Sequence, residues 1–172
     1  MLKKTFLIIT LTVLSVGVYA MSILDAGKVC LFSKISGVVT FEGKPAANAL
    51  LTRTASLSRD KVDKTRTDEN GYFEMPAVFE RTITKFLPQE FVARQVIVVN
   101  YNNQKYDIWS GVKRTEEENA EARGKPLVVS CDLTQQELDL IEVNGSPIFS
   151  RCKWDVDPDP SKTDLWTNFG QE

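Results

Sequence analysis

Few residues in this chain have the type and spacing to do chemistry, and there is no histidine among its 172 residues. Without imidazole the commonest general base is missing, together with every Ser-His and Cys-His nucleophile system. No Gly-x-Ser-x-Gly elbow, phosphate loop or dinucleotide fingerprint occurs. Ser33 and Lys34 are adjacent, but neighbouring side chains on a strand point to opposite faces, which disfavours a Ser-Lys mechanism. Glu116, Glu117 and Glu118 form a carboxylate run whose ordinary role is a solvated helix face. Asp155, Asp157 and Asp159 alternate as calcium ligands do, yet the central glycine and terminal glutamate of an EF-hand loop are missing. Tyr101, Tyr106 and Trp109 are able to stack on the apolar faces of sugar rings, although aromatics on strands more often serve packing. No catalytic residue, metal or other cofactor is expected.

The three cysteines, Cys30, Cys131 and Cys152, do not make a metal site, since no Cys-x-x-Cys accompanies them. One disulfide and one spare thiol is the simplest arithmetic in an oxidising compartment. Cys131 with Cys152 is favoured, because a turn at Asn144-Gly145 folds the chain back between them; Cys30 with Cys131 is the rival. The N-terminus supplies the compartment. Lys3 and Lys4 precede an apolar run from Phe6 to Val18, and Val18-Tyr19-Ala20 offers small residues for a signal peptidase. Residues 1–20 therefore read as a signal peptide, with an uncleaved anchor helix reaching residue 24 as the competing reading. Both readings export the domain to the bacterial periplasm. Contact with the membrane is expected only through this segment. Removing residues 1–20 changes the net charge from −2 to −4, with 19 basic against 23 acidic groups. Nucleic acid is excluded as a partner, because no basic face exists to neutralise phosphates.

The elements behind these residues are strands. Ile35 to Phe41 is β-branched and aromatic, Glu42-Gly43-Lys44-Pro45 is turn chemistry, and Ala47 to Thr54 is again extended. Val62 to Thr67 reads as a polar edge strand. Asp68-Glu69-Asn70-Gly71 then predicts a hairpin with Tyr72 to Met75 as the partner strand. Val96 to Val99 predicts a central strand covered on both faces, and Asn102-Asn103 a turn into Lys105 to Trp109. Thr115, followed by Glu118, predicts a surface helical turn ended by Gly124. Pro126 to Leu133 is a further strand, and Gln135 to Val143 fits a strand or a short helix.

The succession Gly37-Val38-Val39, Gly43-Lys44-Pro45, Ala49 and Thr67-Asp68-Glu69-Asn70-Gly71-Tyr72-Phe73 resembles the carboxypeptidase regulatory-like domain. That resemblance implies a transthyretin-like, Ig-like β-sandwich and an accessory or binding role without catalysis. The downstream half departs from the family pattern. The expected architecture is all-β, a single sandwich of about seven strands over residues 33–152. A lead-in of residues 21–32 precedes it, and an acidic, aromatic tail of residues 153–172 follows.

A lone accessory domain must act through a partner. The favoured reading is a non-catalytic module that binds another envelope or secreted protein, such as an immunity protein against a periplasm-acting toxin. Its candidate contacts are Tyr101, Tyr106, Trp109, Glu116, Glu117 and Trp166, with the 111–125 loop and the acidic tail. The alternative is an envelope glycan-binding module that uses Tyr101, Tyr106 and Trp109.

Overall fold

The computed structural model describes residues 27–83 and 88–160. The expected signal or anchor helix and Trp166 lie outside the described residues. Contacts divide the chain into two units, Met1–Lys28 with Arg81–Gln89, and Val29–Glu80 with Glu90–Glu172. In the first unit, the Thr82 N–H donates to the Gly27 carbonyl at 2.9 Å. The second unit carries the sandwich.

Among the described residues, thirteen strands form three sheets. β1 (Lys28–Phe32) and β7 (Val78–Arg81) make a two-stranded sheet. A five-stranded sheet runs β13 (Cys152–Trp154), β10 (Leu127–Asp132), β2 (Ile35–Phe41) and β3 (Lys44–Pro45), and β6 (Tyr72–Met75) also pairs with β2. A six-stranded sheet runs β11 (Asp139–Val143), β12 (Ser146–Ser150), β9 (Gln104–Lys113), β8 (Ala93–Tyr101), β4 (Leu50–Ser56) and β5 (Asp60–Arg66). The sandwich class is as expected, with more strands than the seven anticipated, four of which (β3, β6, β7 and β13) are four residues or shorter. The strands also take up the end of the lead-in as β1 and the start of the tail as β13.

Three hairpins follow from local chemistry. Glu42-Gly43, Asn102-Asn103 and Asn144-Gly145 all hold positive φ at both positions, the geometry that suits a two-residue hairpin turn. Asp68-Glu69-Asn70-Gly71 differs from expectation. It does not join β5 to β6 as a hairpin: β5 pairs with β4, and β6 pairs with β2 in the other sheet. Asp68 explains the crossing. One of its carboxylate oxygens accepts N–H bonds from Asn70 and Tyr72, and the Gly71 carbonyl accepts the Val39 N–H. The turn is thereby pinned to β2 and leaves β5 alone at its sheet's edge.

The core lies between the sheets. Ile35, Val39, Phe73, Met75, Leu127 and Val129 face Leu51, Ala55, Ile97, Val99, Trp109 and Ile148. β8 is less covered than expected: Gln95, Ile97 and Val99 are buried, whereas Val96 and Val98 are half-buried on the outer side. Two constraints hold the five-stranded sheet. Cys131 and Cys152 stand in register on β10 and β13 and form the disulfide. β2 and β10 run parallel, with Gly37 opposite Val129. A Cβ on Gly37 would sit 1.9 Å from the Val129 carbonyl oxygen, so only glycine allows this approach. Gly37→Ala is expected to cost about 3 kcal/mol, the upper end for overpacking, because backbone rather than a side chain must move. Urea denaturation of the two proteins measures this.

Candidate functional site

The sequence-derived contacts do not assemble into one surface. Trp109 is fully buried, and its indole N–H donates to Gln95 Oε1 at 3.2 Å. Its ring lies between Trp154 at 4.9 Å and Phe32 at 5.7 Å, and the Arg53 guanidinium covers Phe32. Trp109 as a partner contact is therefore corrected to a core residue. Tyr101 and Tyr106 are half-buried against Phe41, at 5.7 and 6.1 Å between ring centroids. The cause is a bulge between Ile97 and Val98, which shifts the β8–β9 register. It leaves Ile108 and Trp109 both buried, so strict alternation fails at the point where it would have chosen their faces.

Glu116 and Glu117 lie in an irregular loop, not on a helix. Helical structure is confined to the 3-10 turn Ala120–Ala122, because Asn119 and Arg123 on either side take positive φ. Glu116 is half-buried, and its carbonyl accepts the Cys30 N–H at 2.8 Å; Glu117 is exposed. The acidic tail is tied down as far as it is described. Asp155 pairs with Lys125 at 2.8 Å and Asp159 with Arg123 at 2.5 Å. Asp159 also accepts the Asn144 and Gly145 N–H groups. Burial pushes the Asp159 carboxyl up, but those N–H groups and Arg123 outweigh it and hold the carboxyl below the usual range.

Sequence reasoning missed a buried polar cluster around Glu121, a residue of the expected surface helix. Its Oε1 accepts from the Ser33 N–H at 3.1 Å and from Gln95 at 2.7 Å. Its Oε2 accepts from Ser33 Oγ at 2.5 Å and from Lys113 Nζ at 2.9 Å. Lys113 also donates to Ser33 Oγ at 3.2 Å, and both ends of the Lys113–Glu121 pair are about 1% exposed. No motif could announce this, since Glu121 lies 88 residues from Ser33. The grouping of serine with lysine resembles a nucleophile pair, but both side chains are already bonded to Glu121. Lys113 Nζ is engaged by the Glu121 carboxylate at 2.9 Å and is about 1% exposed. Ser33 is enclosed as well, while Lys34 points out to Glu74 at 3.0 Å, on the opposite side as expected. Free Cys30 is buried beside this cluster, and burial raises its thiol, so it is a packing residue.

What remains open is the outer face of the six-stranded sheet. Register places Leu140, Phe149, Ser110, Val96, Thr54 and Val62 in one row across all six strands. Leu140 is 60% exposed, Phe149 44% and Val62 57%. Five strand spacings make the row about 24 Å long. Val98 and Val112 widen it on the same face. The edges are less inviting. β5 alternates charges at Lys61, Asp63 and Lys64, and β11 has its Glu142 carbonyl taken by the Asp159 N–H at 2.7 Å.

Glu121 also sets a pH dependence. Burial raises its carboxyl, but Lys113 and the Ser33 donor outweigh that, and it titrates below the ordinary value of 4.5. A folded-state carboxyl lower than its unfolded counterpart contributes stability above the unfolded pKa, and loses it as pH falls through the folded pKa. Melting temperature should therefore hold near neutrality and fall below about pH 4.5, less steeply in Glu121→Gln. At pH 7 Glu121→Gln should cost about 3–5 kcal/mol by stranding Lys113, and Lys113→Met with Glu121→Leu should recover most of it.

Residues 35–136, more than half of the chain, match the family described as Domain of unknown function (DUF6795). The match ends before β11, so Leu140, Phe149 and Cys152 lie beyond it. No curated protein and no solved structure matches the chain.

Proposed function

The chain belongs to the DUF6795 family, and from that premise we propose that it is a non-catalytic, exported protein-binding module of the bacterial cell envelope. The observation that carries this reading is the apolar row on the outer sheet face, ending at exposed Leu140 and Val62. Exposed Leu140, Phe149 and Val62 share this face with Val96, and exposed apolar side chains grouped on one face mark an interaction site. The disulfide supports an oxidising compartment, and the residues 1–20 signal supports the periplasm. The resemblance to carboxypeptidase regulatory-like domains supports an accessory role. Binding is through the sheet face, since the edges are charged or covered.

The partner is another envelope or secreted protein, and a toxin acting in the periplasm is one such partner. In that form the protein is an immunity factor, and cells lacking it should lose survival on toxin challenge. The face itself is tested by affinity capture from an envelope extract, comparing the natural chain with Leu140→Asp/Phe149→Asp. The natural chain should retain one stoichiometric protein, and the double variant should lose it while keeping the same melting temperature to within a few degrees. Equal capture by both proteins would exclude this face.

A further inference from the structure

The same sheet carries a second, polar feature at its other end. Arg66, Leu50, Asn100 and Lys105 stand in register across β5, β4, β8 and β9. The Asn102-Asn103 turn and the Ala47-Asn48 loop border them and complete a cleft of about 480 Å³. That volume falls in the range of small-molecule sites, roughly 300–1,000 Å³.

The lining has an unusual composition: two cations, four carboxamides and no carboxylate. Arg66 Nη1 donates to the Asn48 carbonyl at 3.0 Å and to Asn48 Oδ1 at 3.4 Å. These bonds position the guanidinium, whose remaining N–H groups meet no protein acceptor among the described residues. Lys105 Nζ has no protein partner among the described residues either. Several cations elsewhere are met by carboxylates, as in Lys34–Glu74, Lys125–Asp155 and Arg123–Asp159. The asparagines are not fully explained by backbone geometry. Asn48, Asn102 and Asn103 hold positive φ, which asparagine tolerates, but the other two hairpin turns place glycine at the second position. Asn100 lies within strand β8, where asparagine is disfavoured.

We infer that this cleft binds an acidic saccharide, with its carboxylates on Arg66 and Lys105 and its hydroxyls on the asparagines. A carboxamide both donates and accepts, as a sugar hydroxyl does, so four in one cleft match a polyhydroxylated ligand better than a simple anion. Leu50, in the same row, supplies nonpolar contact for a sugar ring face. Arg66 and Lys105 are three strand spacings apart, about 14 Å between backbones, which suits an oligomer with repeated carboxylates.

The test is titration of the isotopically labelled chain with tetragalacturonate, followed by amide NMR shifts, with maltotetraose and inorganic phosphate as comparators. Saturable shifts at Asn48, Asn100, Asn102 and Lys105 are expected with tetragalacturonate alone, weakening with added salt. Arg66→Gln with Lys105→Gln should weaken binding at least about tenfold, because charge-assisted hydrogen bonds are lost. Asn102→Gly with Asn103→Gly keeps a turn that accepts positive φ and should weaken binding as well. No binding, equal binding of maltotetraose, or saturation by phosphate at the same concentration would each overturn the inference. Leu140→Asp/Phe149→Asp should leave tetragalacturonate binding unchanged, which separates this cleft from the protein-binding face.

Discussion

One buried carboxylate ties together elements from across the sandwich interior. Glu121 takes hydrogen bonds from Ser33 at the β1–β2 corner, from Gln95 on β8 and from Lys113 on β9. Its own carbonyl accepts the Trp154 indole N–H from β13 at 2.9 Å. One residue thus links the five- and six-stranded sheets and the β1–β2 connection. Enclosing a charge pair costs several kcal/mol per ion, and only full satisfaction of the carboxylate offsets it. The consequence is directional. The 114–123 segment must enter the domain at a single position, and its backbone gives up helical geometry to do so, with Asn119 and Arg123 in the left-handed region.

That constraint explains which features were legible in the sequence. Turn chemistry is local, so the hairpins at Glu42-Gly43, Asn102-Asn103 and Asn144-Gly145 could be read from dipeptides, and the last of these correctly pointed to Cys131 with Cys152. The polar edge strand was equally readable, because β5 carries its alternating charges in its own seven residues. Long-range pairing was not. Thr115 to Arg123 has helical spacing and a capping residue, yet Ser33 and Lys113 override both. The Asp68–Gly71 turn has hairpin composition, but Asp68 caps its own turn and Val39 captures Gly71. Parallel pairing of β2 with β10 leaves no local trace beyond Gly37, whose need is visible only once Val129 lies against it.

The candidate site divides on the same line. Aromatic faces bind ligands, but here the aromatic residues are the packing material. Trp109 packs against both Phe32 and Trp154, and Tyr101 and Tyr106 flank Phe41. The exposed row is made instead of residues that look unremarkable one at a time: a leucine, a phenylalanine, two valines, a serine and a threonine. Their alignment depends on the pairing of six strands and on the β8–β9 bulge. A one-residue change of register would send each of them to the other face.

The way that row is held has its own implication. Val62, Thr54, Val96 and Ser110 come from the segment that matches the family, whereas Leu140 and Phe149 come from the β11–β12 hairpin beyond it. Only three register pairs, Ile148 to Ser150 with Gly111 to Trp109, attach that hairpin to β9. Other contacts reinforce it from the C-terminal side. Asp159 grips the Asn144-Gly145 turn and is itself held by Arg123, and the Cys131–Cys152 disulfide returns the chain to β10 two residues after β12 ends. The apolar end of the face is therefore positioned by the tail as much as by the sheet. A change at Asp159 or Arg123, remote from the outer face, would reach a bound partner by moving Leu140 and Phe149 while leaving Val62 and Val96 in place.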